Sequence, residues 1–134
     1  MTEPQLTEPG MNPIRALIID DEALVRTGLR LILESADDIT VVGEAEDGAD
    51  AVDAVRRCRP DIVLLDIRMP RLDGLAATVA IRGLDDPPRV LILTTFDVDD
   101  HVLRALQAGA DGFLLKDTPP RDLIRAVRVI ADGD

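Results

Sequence analysis

Four apolar runs in this chain each stop on a polar residue. Ile18-Ile19 runs into Asp20-Asp21, Leu64-Leu65 into Asp66, Leu91-Ile92-Leu93 into Thr94-Thr95, and Phe113-Leu114-Leu115 into Lys116. The segments between them have helical spacing, and strands alternating with helices are the signature of a parallel sheet covered on both faces. If the runs are neighbouring parallel strands, three carboxylates, a hydroxyl and an ammonium gather at one sheet edge. Lys116 is the only lysine among 15 basic residues, so its position directly after an apolar run marks that edge further.

The first strand is expected over Ile14 to Asp20. The helix after it carries Leu24, Val25, Leu29, Ile32 and Leu33 at helical spacing, with Arg26, Arg30 and Glu34 outside. Thr40 to Ala45 is a short β-branched strand, and Asp47-Gly48 turns the chain into a helix with Val52 and Val55 inward that ends at Pro60. Asp61 to Asp66 is nearly all apolar, as a strand buried on both faces requires. A long loop through Arg68-Met69-Pro70 and Asp73-Gly74 precedes a helix to about Gly83, with Leu75 and Val79 inward. Asp85-Asp86-Pro87-Pro88 breaks the chain before a fourth strand, Val90 to Thr94. Asp97, Asp99 and Asp100 open the next helix, where negative charge suits the dipole, and Gly109 ends it. Gly112 to Lys116 is the fifth strand, and Pro119-Pro120 opens a last helix with Leu123, Val127 and Ile130 on one side and Arg121, Arg125 and Arg128 on the other.

Five such units predict an α/β doubly wound parallel sheet of order 2-1-3-4-5, flavodoxin-like (βα)5, whose ligands bind beyond the carboxyl ends of the strands flanking the order reversal. Strands one and three flank it, so Asp20, Asp21 and Asp66 converge by topology. Residues 1–12 read as a flexible tail, 13–132 as one domain, and 133–134 as the start of a linker to a further domain. At 134 residues the chain is large enough for a real core. With only Phe96 and Phe113 as aromatics, that core is aliphatic and no base-stacking platform is available. A formal net charge of -11 disfavours nucleic acid as a partner of this chain alone. The lone Cys58 excludes an internal disulfide and a cysteine-based zinc site, and no apolar stretch is long enough for a bilayer. A cytoplasmic location without membrane contact is expected.

Three crowded carboxylates repel one another and call for a cation. An all-oxygen set with waters and one backbone carbonyl suits a hard octahedral ion, Mg2+, which prefers to complete its shell with phosphate oxygens. Asp66, alone at the centre of the sheet, is the better nucleophile toward phosphorus, and the Asp20-Asp21 pair is better placed for metal. Thr94 would donate its hydroxyl to a phosphoryl oxygen, and Lys116 would be the counter-charge. Each residue also has a plainer reading. Asp20, Asp21 and Glu22 could favour the start of a helix, and Asp66, Thr94 and Lys116 could be ordinary strand ends. What favours a site is the coincidence of compatible groups at four strand ends. His101 reads as a surface residue, Cys58 as half-buried filler at a helix end, and Glu44 and Glu46 as solvated.

The stretches Leu17-Ile18-Ile19-Asp20-Asp21-Glu22, Arg59-Pro60-Asp61-Ile62-Val63-Leu64-Leu65-Asp66-Ile67-Arg68-Met69-Pro70, Leu93-Thr94-Thr95-Phe96-Asp97 and Ala108-Gly109-Ala110-Asp111-Gly112-Phe113-Leu114-Leu115-Lys116-Asp117 resemble the receiver domains of two-component response regulators of the NarL/FixJ type. The resemblance implies that Asp66 is the phosphoacceptor. Asp20 and Asp21 would be the acidic pair around Mg2+, and the carbonyl of Arg68 the backbone metal ligand. Thr94 matches the switch hydroxyl, Phe113 the switch aromatic and Lys116 the phosphate-binding lysine. A sensor histidine kinase or a small acyl phosphate would supply the phosphoryl group, and slow hydrolysis would remove it. A shape change around the fifth strand and a homodimer of the phosphorylated form would follow. DNA binding and transcription control are expected only through a LuxR-type C-terminal domain outside this chain. Two positions depart from the common pattern: Asp117 stands where many receivers have proline, and Phe113 lacks the hydroxyl of a tyrosine switch. Arg68 beside Asp66 is expected to limit water access and prolong the phosphorylated state.

Three other readings compete with this one. A phosphate-independent interaction module is opposed by the intact acids and Lys116. A haloacid-type Mg2+ phosphotransferase wants an acid two residues after its nucleophile, where Arg68 stands. A flavin carrier wants a phosphate loop after the first strand and aromatics for the ring.

Overall fold

The computed structural model describes residues 12–67, 71–94, 104 and 107–133. Five parallel strands form one sheet: β1 Ile14–Ile19, β2 Ile39–Ala45, β3 Ile62–Asp66, β4 Arg89–Thr94 and β5 Gly112–Leu115, in the order β2-β1-β3-β4-β5. Helices α1 Ala23–Glu34, α2 Ala51–Cys58, α3 Gly74–Arg82 and α4 Pro120–Ala131 cover it, with a 3-10 turn at Gly48–Asp50 before α2. The expected order and every strand are present, with ends moved by one residue at most. Of the helix expected between β4 and β5, Asp97, Asp99, Asp100 and His101 lie outside the described residues, whereas Arg104, Gln107 and Ala108 are helical and Gly109, at φ 99°, follows them.

Strand alternation divides the core in two. Leu17, Ile19, Val63, Leu65, Val90 and Ile92 point to one face, where Ala51, Ala54 and Val55 of α2 and Ala77 and Ile81 of α3 pack on them. Ala16, Ile18, Ile62, Leu64, Leu91 and Leu93 point to the other, against Leu33 of α1 and Leu123 and Val127 of α4. A strand buried on both faces cannot alternate in polarity, which is why β3 reads as a continuous apolar run. Each buried Val, Leu or Ile side chain among them contributes about 1.5–3 kcal/mol by leaving water, so the sheet is the rigid base from which the strand-end residues project.

Helix faces departed from expectation in three places. Leu24 is 84% exposed and Val79 59% exposed. Helices of 12 and nine residues present only a narrow stripe to a twisted sheet, and the stripe of α3 runs through Gly74, Ala77, Thr78 and Ile81 instead. On α1, Arg26 turns inward rather than out. Its guanidinium donates to the carbonyl of Asp20 at 2.6 Å and to Glu44 at 3.0 Å. Glu44 is therefore not simply solvated: the hydrogen bond from Arg30, at 2.8 Å, does most to hold its carboxyl below the usual glutamate range, and Arg26 adds to it. Cys58 closes α2 half-buried, as expected. Arg59 takes the left-handed conformation at φ 48°, ending α2 before Pro60.

Candidate functional site

β1 and β3 lie side by side in register, Ile19 opposite Leu65, so the residues that leave these strands emerge together. Asp20 is 1% exposed and Asp66 6%, and Asp21 faces solvent. One carboxylate oxygen from each of the three lies within 4.8 Å of the others. Glu22, at the N-cap of α1, makes no side-chain cap bond, and Asp20 accepts from the Glu22 amide at 2.9 Å with one oxygen only.

The other oxygen of Asp20 meets Lys116 Nζ at 2.8 Å, and the same nitrogen lies 3.1 Å from Asp66 Oδ1. Lys116 reaches this position because β5 pairs with β4 as far as Thr94 opposite Leu115, and the Lys116 amide then donates to the Thr94 carbonyl at 2.6 Å. Burial works against the lysine charge. The hydrogen bond to Asp20 and the fields of Asp66 and Asp20 outweigh it and hold the Lys116 pKa above the ordinary lysine value. Thr94, 2% exposed, ends β4 beside this group, and Phe113 sits half-buried against the core face that carries α2 and α3. Every described peptide is trans, that between Lys116 and Asp117 included. Arg68, the expected backbone metal ligand, and Phe96 lie outside the described residues.

Oxygen donors alone, two of them buried, fit a small hard cation better than a soft one. The arrangement also suits a phosphoryl group: a carboxylate to take it, a hydroxyl and an ammonium to receive its oxygens.

Sequence reasoning missed the residue that anchors the loop beyond β3. Asp47, read as part of a simple turn, is 2% exposed. Its carboxylate accepts from the amides of Ala49, Arg71 and Leu72, each at 2.9 Å. Burial would raise its pKa, but these amides and the nearby Arg71 guanidinium hold it below the usual aspartate value. Only the Asp-Gly pair signalled it. Gly74 closes the loop, with its amide on the Ile67 carbonyl at 2.9 Å, and a Cβ there would stand 2.2 Å from the Asp66 carbonyl oxygen.

Comparison with known proteins agrees with this geometry. Residues 16–128 match the response regulator receiver domain family. Over 121 residues the chain is 42% identical to the transcriptional regulatory protein YxjL of Bacillus subtilis, covering 90% of this chain and 56% of that protein. Over 122 residues it is 38% identical to the nitrate/nitrite response regulator NarL of Escherichia coli, covering 91% and 56%. The chain thus spans about half the length of these curated relatives. The signal receiver domain of a NarL response regulator from Mycobacterium tuberculosis superposes with a TM-score of 0.88 at 40% identity, over 92% of this chain and 99% of that one.

Proposed function

This chain belongs to the response regulator receiver domain family, and from that premise we propose that Asp66 accepts a phosphoryl group in a Mg2+-dependent reaction and that the modified domain switches a transcriptional output. The observation that carries the reading is the Lys116 ammonium placed between Asp20 and Asp66, at 2.8 and 3.1 Å, within a cluster of three carboxylates.

A carboxylate oxygen of Asp66 attacks phosphorus. A new O–P bond forms as the bond to the donor breaks, and the electron pair leaves with the donor group, imidazole from a phosphohistidine or acetate from acetyl phosphate. Bound Mg2+, held by Asp20, Asp21, Asp66 and the carbonyl of Arg68, would offset the negative charge of the carboxylates and of the phosphoryl oxygens. Lys116 stabilises charge that grows on the transferred group, from a position fixed before the donor arrives. Thr94 donates its hydroxyl to a phosphoryl oxygen. The new dianion draws Thr94 and Lys116 inward and opens space into which Phe113 turns by packing alone.

Receiver domains of this family interact with histidine kinases, and a sensor kinase is proposed as the phosphoryl donor here. Slow hydrolysis of the acyl phosphate would reset the domain. Homodimerisation on phosphorylation, DNA contact through a C-terminal domain, and a cytoplasmic location complete the proposal, with residues 1–12 as a tail, 13–132 as the receiver and 133–134 as linker. Among the described residues no helix is long and apolar enough to cross a membrane.

Intact-mass measurement after treatment with acetyl phosphate and Mg2+ tests this. The wild type should gain the mass of one phosphoryl group and Asp66→Ala none. A wild type that stays unmodified would overturn the proposal and leave a phosphate-independent interaction module.

A further inference from the structure

We propose that Asp47, in the loop between β2 and α2, is a positioning residue for phosphoryl transfer: through the backbone of residues 71–74 it holds the peptide of Asp66 in place. The proposal rests on the reading of Asp66 as phosphoacceptor.

Asp47 touches neither Lys116 nor the carboxylate cluster. Its bonds run elsewhere, and two of the three cross 24 and 25 positions of chain to the amides of Arg71 and Leu72. The neighbouring Gly48 brings the two loops into bare backbone contact, since a Cβ there would lie 2.2 Å from the Leu72 carbonyl oxygen and 3.1 Å from that of Asp73. At the surface the Arg71 guanidinium reaches back to Asp50 at 2.8 Å. On the far side, Gly74 packs its bare Cα against the Asp66 carbonyl and bonds Ile67. Residues 71–74 are thus gripped between the Asp47-Gly48 loop and the backbone of the phosphoacceptor.

The chemistry of the grip asks for a carboxylate. Three N–H groups converge on two oxygens, and an ionised acid offers acceptors only, in bonds about twice as strong as neutral ones. Asparagine would turn an NH2 toward at least one of the three donors. Alanine would leave three amides in a nearly closed space without acceptors. Near-attack geometry tolerates little displacement, and residues that orient a metal ligand change affinity by about 10- to 100-fold when removed.

The test compares wild type, Asp47→Asn, Asp47→Ala and Val127→Ala in the intact chain, at a temperature where circular dichroism shows each folded. Val127 is fully buried on the opposite face of the sheet, so its variant loses stability without touching either loop. Two quantities are read: amide hydrogen exchange at Arg71 and Leu72, and the Mg2+ concentration for half-maximal modification by acetyl phosphate. Asp47→Ala should exchange faster at both amides and need about tenfold more Mg2+, with Asp47→Asn between it and the wild type. Val127→Ala should keep the wild-type Mg2+ dependence. The role of Asp47 is overturned if its variants keep that dependence too, or if Val127→Ala shifts it equally. Should Asp47→Ala not fold, Asp47→Asn alone decides. A wild type that takes no phosphoryl group overturns the assignment of Asp66 itself, and Asp47 falls with it.

Discussion

Both edges of the sheet carry acids and bases, and they use them in opposite ways. At the amino edge Arg15, Asp61, Arg89 and Asp111 are paired with one another or with backbone groups. Arg15 donates to the carbonyls of Cys58 and Arg59 at 2.6 and 3.2 Å, and Asp61 accepts from the Arg15 amide at 2.9 Å. Asp111 accepts from Val90 at 2.8 Å with Arg89 and Arg82 at 3.5 and 3.7 Å. These contacts align β1, β3, β4 and β5 where they begin. At the carboxyl edge three carboxylates, two of them buried, gather within 4.8 Å of one another, and one lysine bridges Asp20 and Asp66. A cleft of about 580 Å3 opens at the amino edge, but Arg56 and Arg59 share it with Asp61, Asp85 and Asp86, so charges of both signs line it. Like charges gathered in a poorly solvated place at a strand end mark a candidate site; opposite charges paired at one are a fastening.

Substitutions at the two edges should therefore separate chemistry from stability. The largest expected effect is on Lys116→Ala, whose rate of modification by acetyl phosphate should fall by about 100-fold or more, as when a preorganised charge donor is removed. A rate within a few-fold of wild type would break the contrast from the functional side. Next in size, Asp61→Ala should lose about 1 kcal/mol of stability in urea unfolding, since the Arg15 amide loses its acceptor, while phosphorylation proceeds at the wild-type rate. The smallest and sharpest is Asp21→Asn. Relieving repulsion in the cluster should raise the melting temperature, by about 2 °C, while the Mg2+ requirement for modification increases. A lower melting temperature would mean that the acids of this edge are fastenings as well.

Much of the fold was legible because parallel strands buried on both faces leave a mark that no packing detail erases. All five strands, their order and the meeting of Asp20, Asp21, Asp66 and Lys116 followed from apolar runs and where they stop. Helix faces were less legible. Leu24 and Val79 have helical spacing yet stand in solvent, because several stripes of a short helix can be apolar and the sheet accepts only one. Arg26 was assigned outward by polarity, but its long stem carries the guanidinium back to the Asp20 carbonyl and to Glu44.

Two Asp-Gly pairs show where local reasoning stops. Asp47-Gly48 and Asp73-Gly74 look alike, and each precedes a helix. Asp73 does what its position suggests, capping α3 by accepting from Ala76 at 2.8 Å. Asp47 gives its own turn one bond and directs two at a loop two dozen residues away. By itself the amino-acid order determined which segments are strands, which way they run and which polar groups reach the carboxyl edge, since periodicity and strand ends are properties of neighbours along the chain. Only the tertiary structure decided which charges are matched, which helix face is covered and which aspartate holds a distant loop, because those depend on distances between residues that the order of the chain leaves unrelated.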